Sequence, residues 1–204
     1  MPTLILSGGT GKDEERKLNK LFLDKVKGGR ILYIPIARES KEYPSCEKCI
    51  NSVLKNKPIT MLTDLSEKIS LSSFKGIYIG GGNTFKLLKE IKENKWDEKL
   101  KNFKGVIMGG SAGTLIWGKD ITTAAWGEFK DQNKVKLKDF KALNKLKNYN
   151  LRVHYLKKEK KKVREYVKKN KIPIIALPED SGILVEENKI IPINKVCIFK
   201  TKSL

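Results

Sequence analysis

The amino-acid sequence predicts an α/β protein in which a mostly parallel central sheet carries helices on both faces. Three observations support this fold class. Apolar runs alternate with amphipathic segments along almost the whole chain of 204 residues. The run at residues 105–108 is continuously apolar, which is typical of a strand covered on both faces. Glycine-rich turns follow the runs at residues 3–6, 76–79 and 105–108, so each of these strands is expected to end in a tight turn.

The individual elements are predicted in chain order from their apolar periodicity. Strands are expected at residues 3–6, 30–35, 59–62, 76–79, 105–108, 151–154, 172–176, 182–185, 189–192 and 196–199, the later ones as antiparallel hairpins. Helices are expected at residues 13–27, 46–54, 84–93, 114–117 and 157–169. The pattern loosens between residues 121 and 150. Because no repeat or flexible linker interrupts the chain, we predict a single domain over residues 1–204.

The charge of the chain raises the question of a nucleic-acid partner. The formal net charge is +20, and lysine supplies nearly all of the positive charge. Arginine, the residue favoured for bidentate recognition of bases and phosphates, occurs at only five positions, which are Arg16, Arg30, Arg38, Arg152 and Arg164. The lysines are spread along the chain apart from the cluster at residues 157–162. We therefore predict no nucleic-acid partner.

The composition also allows predictions of the cellular compartment and of metal binding. The N-terminal apolar run is too short for a signal peptide, and no run approaches the length of a membrane span. Three cysteines without an export signal indicate a reducing compartment, so a cytoplasmic location without membrane contact is expected. Cys46 and Cys49 form a C-x-x-C pair, but no second pair completes a metal site, and we interpret the spacing as coincidental. No metal is predicted.

The most informative motif is Gly109-Gly110-Ser111-Ala112-Gly113, which fits the G-x-S-x-G pattern of a nucleophile elbow. In such an elbow a serine lies on a tight turn between a buried strand and a helix. The outer glycines, Gly109 and Gly113, allow the start of the helix to pack closely against the strand. The N–H of Ala112 would be open to a reacting carbonyl oxygen. An ordinary glycine-rich turn is the alternative interpretation.

A serine needs a base to remove its proton, and the chain has a single histidine, His154. Any Ser-His arrangement must therefore pair Ser111 with His154, which lies at the end of a predicted strand. A third group must orient the imidazole, and Glu179 follows another apolar strand. Asp180 is the alternative to Glu179. A histidine without a catalytic role is the alternative for His154.

A second glycine-rich loop at residues 80–82 lies between a predicted strand and a predicted helix. With Ala112, its N–H groups could form an oxyanion hole, in which each donor contributes on the order of 3 kcal/mol to acyl transfer. Phosphate binding is the alternative, but residues 9–13 lack the pattern of a P-loop and the third glycine of a dinucleotide motif.

The chain resembles the dipeptidase E (alpha-aspartyl dipeptidase) family, whose relatives include cyanophycinase. The most specific matching segments are Gly-Gly-Gly-Asn-Thr-Phe at residues 80–85 and Gly-Ser-Ala-Gly at residues 110–113; weaker ones lie at residues 4–9, 31–37, 153–155 and 177–179. The resemblance implies a single-domain, class I glutamine-amidotransferase-like α/β sandwich with Ser111 as nucleophile, His154 as base and Glu179 as acidic partner. It implies oxyanion donors at Ala112 and at Gly81 or Gly82, and no cofactor. The serine at the elbow, where amidotransferases carry cysteine, favours the peptidase branch.

The resemblance also directs attention to substrate-binding residues, for which the candidates are Asn83, Thr84 and Arg164. The family carries an arginine for an acidic substrate side chain between the histidine and the final acid. Here that region is mostly lysine, and Arg164 is its only arginine. A preference for N-terminal aspartate therefore stays open.

The predicted function is a serine peptidase that cleaves short peptides as a monomer or homodimer. Two alternatives belong to other classes: a binding or regulatory module that kept the fold and lost activity, and a basic nucleic-acid binder.

Overall fold

Ten strands and six helices lie in the residues that the computed structural model describes, which are residues 2–9, 16–55 and 57–201. The strands are β1 (Thr3–Ser7), β2 (Ile31–Ile34), β3 (Ile59–Met61), β4 (Gly76–Ile79), β5 (Val106–Gly110), β6 (Asn150–Arg152), β7 (Ile174–Ala176), β8 (Gly182–Glu186), β9 (Lys189–Ile193) and β10 (Cys197–Phe199). The helices are α1 (Arg16–Val26), α2 (Tyr43–Val53), α3 (Thr84–Glu93), α4 (Trp96–Asn102), α5 (Ala112–Leu115) and α6 (Lys160–Asn170).

The larger sheet has seven strands in the order β3-β2-β4-β5-β1-β8-β9. The first five strands in this order, from β3 to β1, pair in parallel, whereas β8 and β9 are antiparallel to their neighbours. Successive side chains of β1 enter different apolar clusters: Leu4 and Leu6 face one cluster and Ile5 the other. The first cluster includes apolar side chains of α3 and α4, and the second those of α1 and α2, so helices cover both faces. The predicted fold class is confirmed.

A second, three-stranded sheet differs from the sequence-based expectation. Its order is β10-β7-β6, with β6 and β7 parallel and β10 antiparallel to β7. The strand β10 was expected in a hairpin, but Cys197 pairs with Ala176 instead of with a residue of β9. The physical reason is an apolar cluster separate from the main core, in which the Phe199 ring lies 6.0 Å from that of Tyr155. The hairpin prediction holds only for β8 and β9.

Several element boundaries also differ from the predicted ones. The strand expected at residues 151–154 ends at Arg152, so His154 lies just beyond it. The basic helix expected at residues 157–169 begins as one 3-10 turn, Lys157–Glu159, and continues as α6. The helix α4 was not predicted, because only Trp96 and Leu100 of its seven residues are buried and the pattern is short. Residues 13–15 of the first predicted helix lie outside the described residues, and the predicted domain bounds of 1–204 stay a prediction.

The segment between α5 and β6 has little regular structure, as the loosened sequence pattern predicts. Its one 3-10 turn is Thr122–Ala125. Throughout the described ranges, no helix combines the length and apolar character needed to cross a membrane.

Candidate active site

Ser111 lies at a sharp turn between β5 and α5, as the elbow motif predicts. Its backbone has φ of 49° and ψ of −105°, an unfavourable conformation for a residue other than glycine. The outer glycines of the motif permit close packing: a Cβ on Gly113 would lie 2.3 Å from the carbonyl oxygen of Ile79. Five buried β5 residues lead into the turn, so the serine stands on a rigid support.

The structure brings Ser111, His154 and Glu179 together in one hydrogen-bonded series. The Ser111 Oγ lies 2.9 Å from Nε2 of His154, and Nδ1 of His154 lies 3.0 Å from Oε1 of Glu179. A carboxylate accepts, so Nδ1 carries the proton and Nε2 is free to accept from the serine hydroxyl. Asp180, the alternative to Glu179, instead accepts a hydrogen bond at its backbone carbonyl from Asn194. The geometry favours Glu179 over Asp180 as the partner of the imidazole.

His154 is held against the first glycine-rich turn of the larger sheet. Its N–H donates to the carbonyl oxygen of Gly8 at 2.7 Å. The neighbouring Gly9 has φ of +98°, and a Cβ at that position would lie 2.1 Å from Cε1 of the imidazole. Only glycine therefore allows the backbone to approach the ring this closely. The imidazole is 18% exposed and Glu179 is 44% exposed.

The N–H groups proposed from sequence for an oxyanion hole surround the serine. Ala112 is the first residue of α5, so its N–H has no partner within the helix. The loop at residues 80–82 lies on the other side, where a Cβ on Gly81 would be 3.2 Å from Cβ of Ser111. No described residue accepts a hydrogen bond from the N–H of Gly81 or Gly82. These donors could stabilise negative charge beside Ser111.

A cavity of about 400 Å³ opens from Ser111 and His154 across the ends of the parallel strands. Tyr33 and Tyr78 line it from the sheet, and Cys46 and Cys49 line it from α2. Burial raises the pKa of the Tyr33 hydroxyl, and the neighbouring Cys46 adds to this shift, so the phenol stays protonated at neutral pH.

Arg38 also lines this cavity and was not among the residues proposed from sequence. Its Nε donates to the carbonyl oxygen of Gly81 at 3.1 Å, and its Nη1 lies 3.2 Å from Oε1 of Glu42. A signal for it exists in the sequence, because Arg38 follows β2 by four residues and the carboxyl ends of parallel strands carry ligand-binding residues. The cysteine pair, interpreted as coincidental, likewise lies in the cleft.

The three candidate substrate-binding residues lie in different environments. Asn83 caps α3 by accepting from the N–H of Lys86, and its Nδ2 donates to the carbonyl oxygen of Gln132. Thr84 is fully buried, and both its N–H and its hydroxyl donate to Asp131. Arg164 is exposed on α6 and does not line the cavity. Their assignment to substrate binding stays a prediction.

The described residues contain no cluster of side chains suited to metal binding. No group of three or more His, Cys, Asp or Glu side chains there is arranged to hold a metal ion. The three cysteines are unpaired thiols.

An α/β fold with a serine at a strand-to-helix turn, next to an imidazole and a carboxylate, is the arrangement of a serine hydrolase. The model of peptidase family S51 matches residues 3–193, so the chain belongs to this family. The resemblance stated from the sequence motifs is thereby confirmed at the level of the family.

Individual relatives agree with the family assignment. The chain is 26% identical over 136 residues to a protein named Peptidase E from Actinobacillus pleuropneumoniae serotype 3 (strain JL03), covering 59% of this chain and 56% of the relative. The Peptidase E of serotype 5b (strain L20) matches with the same identity and coverage. The matched region thus spans little more than half the length of these curated relatives.

Solved structures of similar fold cover nearly the whole chain. A protein of Listeria monocytogenes EGD-e, provisionally called peptidase E, has a TM-score of 0.67 at 21% identity, covering 99% of this chain and 100% of that one. A peptidase from an acI-B1 Actinobacterium has a TM-score of 0.70 at 15% identity, covering 98% and 91%. At these identities the likeness establishes the fold alone.

Proposed function

We propose that this chain is a serine-type peptidase that hydrolyses short peptides, with Ser111 as nucleophile, His154 as base and Glu179 as the group that orients the imidazole. The observation that carries the proposal is the pair of contacts at 2.9 Å and 3.0 Å that link the three side chains. Membership of peptidase family S51 supports the same chemistry.

The reaction follows from the position of each atom. Ser111 Oγ attacks the carbonyl carbon of the scissile peptide bond, and its proton passes to Nε2 of His154. The N–H groups of Ala112 and of Gly81 or Gly82 stabilise the oxyanion that forms. The C–N bond then breaks as Nε2 returns the proton to the leaving amine. Water, deprotonated by the same imidazole, attacks the acyl carbon. The C–O bond to Ser111 then breaks, Nε2 returns the proton to Oγ, and the second product leaves as a carboxylic acid.

The size of the cleft supports short peptides as substrates. Its volume of about 400 Å³ lies near the lower end of the range of about 300–1,000 Å³ that is usual for small-molecule sites. Cys46, Cys49 and Val53 of α2 line the side of the cleft away from Ser111.

The test is hydrolysis of a dipeptide panel by the wild-type protein and by Ser111→Ala. Removing a nucleophilic serine lowers turnover by several orders of magnitude, up to about 10⁶-fold. Ser73→Ala is the matched control, because this exposed serine lies in a short 3-10 turn away from the cleft. Undiminished hydrolysis by Ser111→Ala would overturn the proposal.

A serine-reactive fluorophosphonate separates an active site from an inactive module with the same fold. An activated serine reacts covalently, so mass spectrometry is expected to find the label on Ser111 and none after Ser111→Ala. An unlabelled Ser111 would favour the binding-module alternative.

A further inference from the structure

Phe129 is an exposed aromatic side chain beside the candidate base. Its ring is 56% exposed, and its centroid lies 5.1 Å from that of His154 with an angle of 37° between the ring planes. The other large apolar side chains that are strongly exposed in the described residues are Ile191 and Ile198, which lie on the outer strands β9 and β10. An exposed aromatic ring 5.1 Å from the imidazole is placed to contact a substrate bound at His154.

We propose that Phe129 is a specificity-determining residue that binds the side chain of the leaving residue, and that the preferred substrates have an aliphatic or aromatic residue on the C-terminal side of the scissile bond. This inference rests on the proposed function.

The segment that carries Phe129 is fixed on both sides of it. On one side, Gly127 has φ of +73° and packs so closely against the buried Arg152–Glu159 ion pair that a Cβ would lie 2.3 Å from Nη2 of Arg152. On the other side, Asp131 accepts hydrogen bonds from the N–H and hydroxyl of Thr84 at 2.9 Å and 2.6 Å. The backbone that carries the ring is therefore held in place before substrate arrives, which limits the entropy lost on binding.

The chemistry of the site indicates which part of the substrate meets Phe129. His154 Nε2 must return its proton to the leaving amine, so the leaving nitrogen lies beside the imidazole. The cavity with Arg38 and Cys46 extends from the side of Gly81, whereas Phe129 does not line it. The acyl portion of the substrate thus belongs in the cavity, and the leaving residue belongs beside the imidazole and the Phe129 ring.

The character of the contact follows from the ring itself. More than half of the Phe129 surface is open to solvent, and apolar or aromatic side chains would cover it and release water. A glycine on the leaving side offers no such group. We therefore expect the protein to distinguish apolar or aromatic residues from glycine at the leaving residue of the substrate, and not at the acyl residue.

The kinetic test compares Asp-Phe with Asp-Gly and Ala-Phe with Ala-Gly for the wild-type protein, Phe129→Ala and Phe129→Leu. We expect Phe129→Ala to lower kcat/KM for the two Phe dipeptides about 5- to 20-fold more than for the two Gly dipeptides, as for loss of one aromatic contact. Phe129→Leu should retain part of the preference. Ile198→Ala, which truncates another exposed apolar side chain on β10, is the control and should not change the preference.

A binding measurement makes the result independent of turnover. His154 is the only histidine, so its imidazole NMR signals report ligand binding at this position without overlap. In a Ser111→Ala background, we expect titration with Ala-Phe to give a Kd that Phe129→Ala raises about 5- to 20-fold more than it raises the Kd of Ala-Gly. Equal effects on both ligands, or none, would overturn the role of Phe129. Hydrolysis that survives Ser111→Ala would instead overturn the proposed function, so the two failures are distinguishable.

Discussion

The two sheets contribute different parts of the candidate site. The seven-stranded sheet supplies Ser111 from the end of β5 and the N–H donors around it. The three-stranded sheet supplies His154 after β6 and Glu179 after β7. The contact of 2.9 Å between Ser111 and His154 is therefore a contact between sheets. Because the two sheets supply different residues, the proposed reaction depends on the position of the smaller sheet relative to the larger one, and not only on the turn at Ser111.

A hydrogen bond next to the imidazole seats the smaller sheet against the larger one. The N–H of His154, after β6, donates to the carbonyl oxygen of Gly8, after β1. Gly8 also donates to the carbonyl oxygen of Ser181, just before β8. The first turn of the larger sheet is thus the common anchor for the residues around the imidazole.

The largest expected effect comes from the buried ion pair between Arg152 of β6 and Glu159, which follows this strand in the 3-10 turn before α6. Arg152 is 2% exposed, and its Nη2 and Nε lie 2.7 Å and 3.2 Å from the two carboxylate oxygens of Glu159. Arg152→Met leaves Glu159 buried without its cation, which destabilises a protein by about 3–5 kcal/mol. Urea unfolding followed by circular dichroism measures the loss.

The double variant Arg152→Met/Glu159→Leu is the control for this prediction. It replaces the pair by apolar groups, so most of the lost free energy of unfolding should return. Ile107→Ala in β5, where the side chain is fully buried, gives the corresponding loss in the larger sheet, about 2–5 kcal/mol. An Arg152→Met variant as stable as wild type would show that the smaller sheet does not depend on the pair.

The next effect is expected at Gly9, where the larger sheet meets the imidazole. Gly9→Ala places a methyl group within the His154 ring, so the ring must move away from Ser111. We expect hydrolysis to fall at least about 10-fold, since small displacements of catalytic groups can lower rates by about 10²-fold.

Gly28→Ala controls for backbone strain in that experiment. Gly28 has φ of +78°, but a Cβ there would meet nothing within 4 Å. Both variants should lose about 1–2 kcal/mol of stability from the left-handed backbone conformation. Only Gly9→Ala should lose activity. Equal activities would show that the imidazole adapts to the methyl group.

A smaller effect is expected at Glu179, because its side chain is 44% exposed and water can replace part of its function. Glu179→Gln can present its NH₂ group to the imidazole and favour the wrong tautomer. We expect kcat to fall by less than about 10-fold, well short of the roughly 10⁴-fold seen for a buried carboxylate. Asp180→Asn is the matched control and should change kcat little. The reverse order would assign the orienting role to Asp180.

Much of the larger sheet could be predicted from sequence because its strands are continuous apolar runs. Ser111 stands at the predicted turn for the same reason, and a single histidine left one choice for its partner. The second sheet could not be predicted in the same way. Periodicity identifies β10 as a strand, but its neighbour β7 is selected by packing of Phe199 on Tyr155.

Residues across the cleft escaped prediction because no local pattern relates them to Ser111. Cys46 and Arg38 reach the cavity through the placement of α2 and of the loop after β2. Phe129 lies in a segment without periodicity, and its contact with His154 depends on the packing of Gly127. These contacts are long-range, so they are set by tertiary structure and not by neighbouring residues in the chain.

The smallest effect is expected at the exposed ion pair between Lys158 and Glu128. Both side chains are largely exposed, at 64% and 59%, although the pair joins the segment of Phe129 to the 3-10 turn before α6. Lys158→Ala should change the free energy of unfolding by less than about 1 kcal/mol, and added salt should reduce the difference further. The preference for Phe over Gly dipeptides should persist, because the contacts of Gly127 and Asp131 remain. If Lys158→Ala abolished that preference, the surface ion pair, and not the buried contacts, would hold Phe129 beside His154.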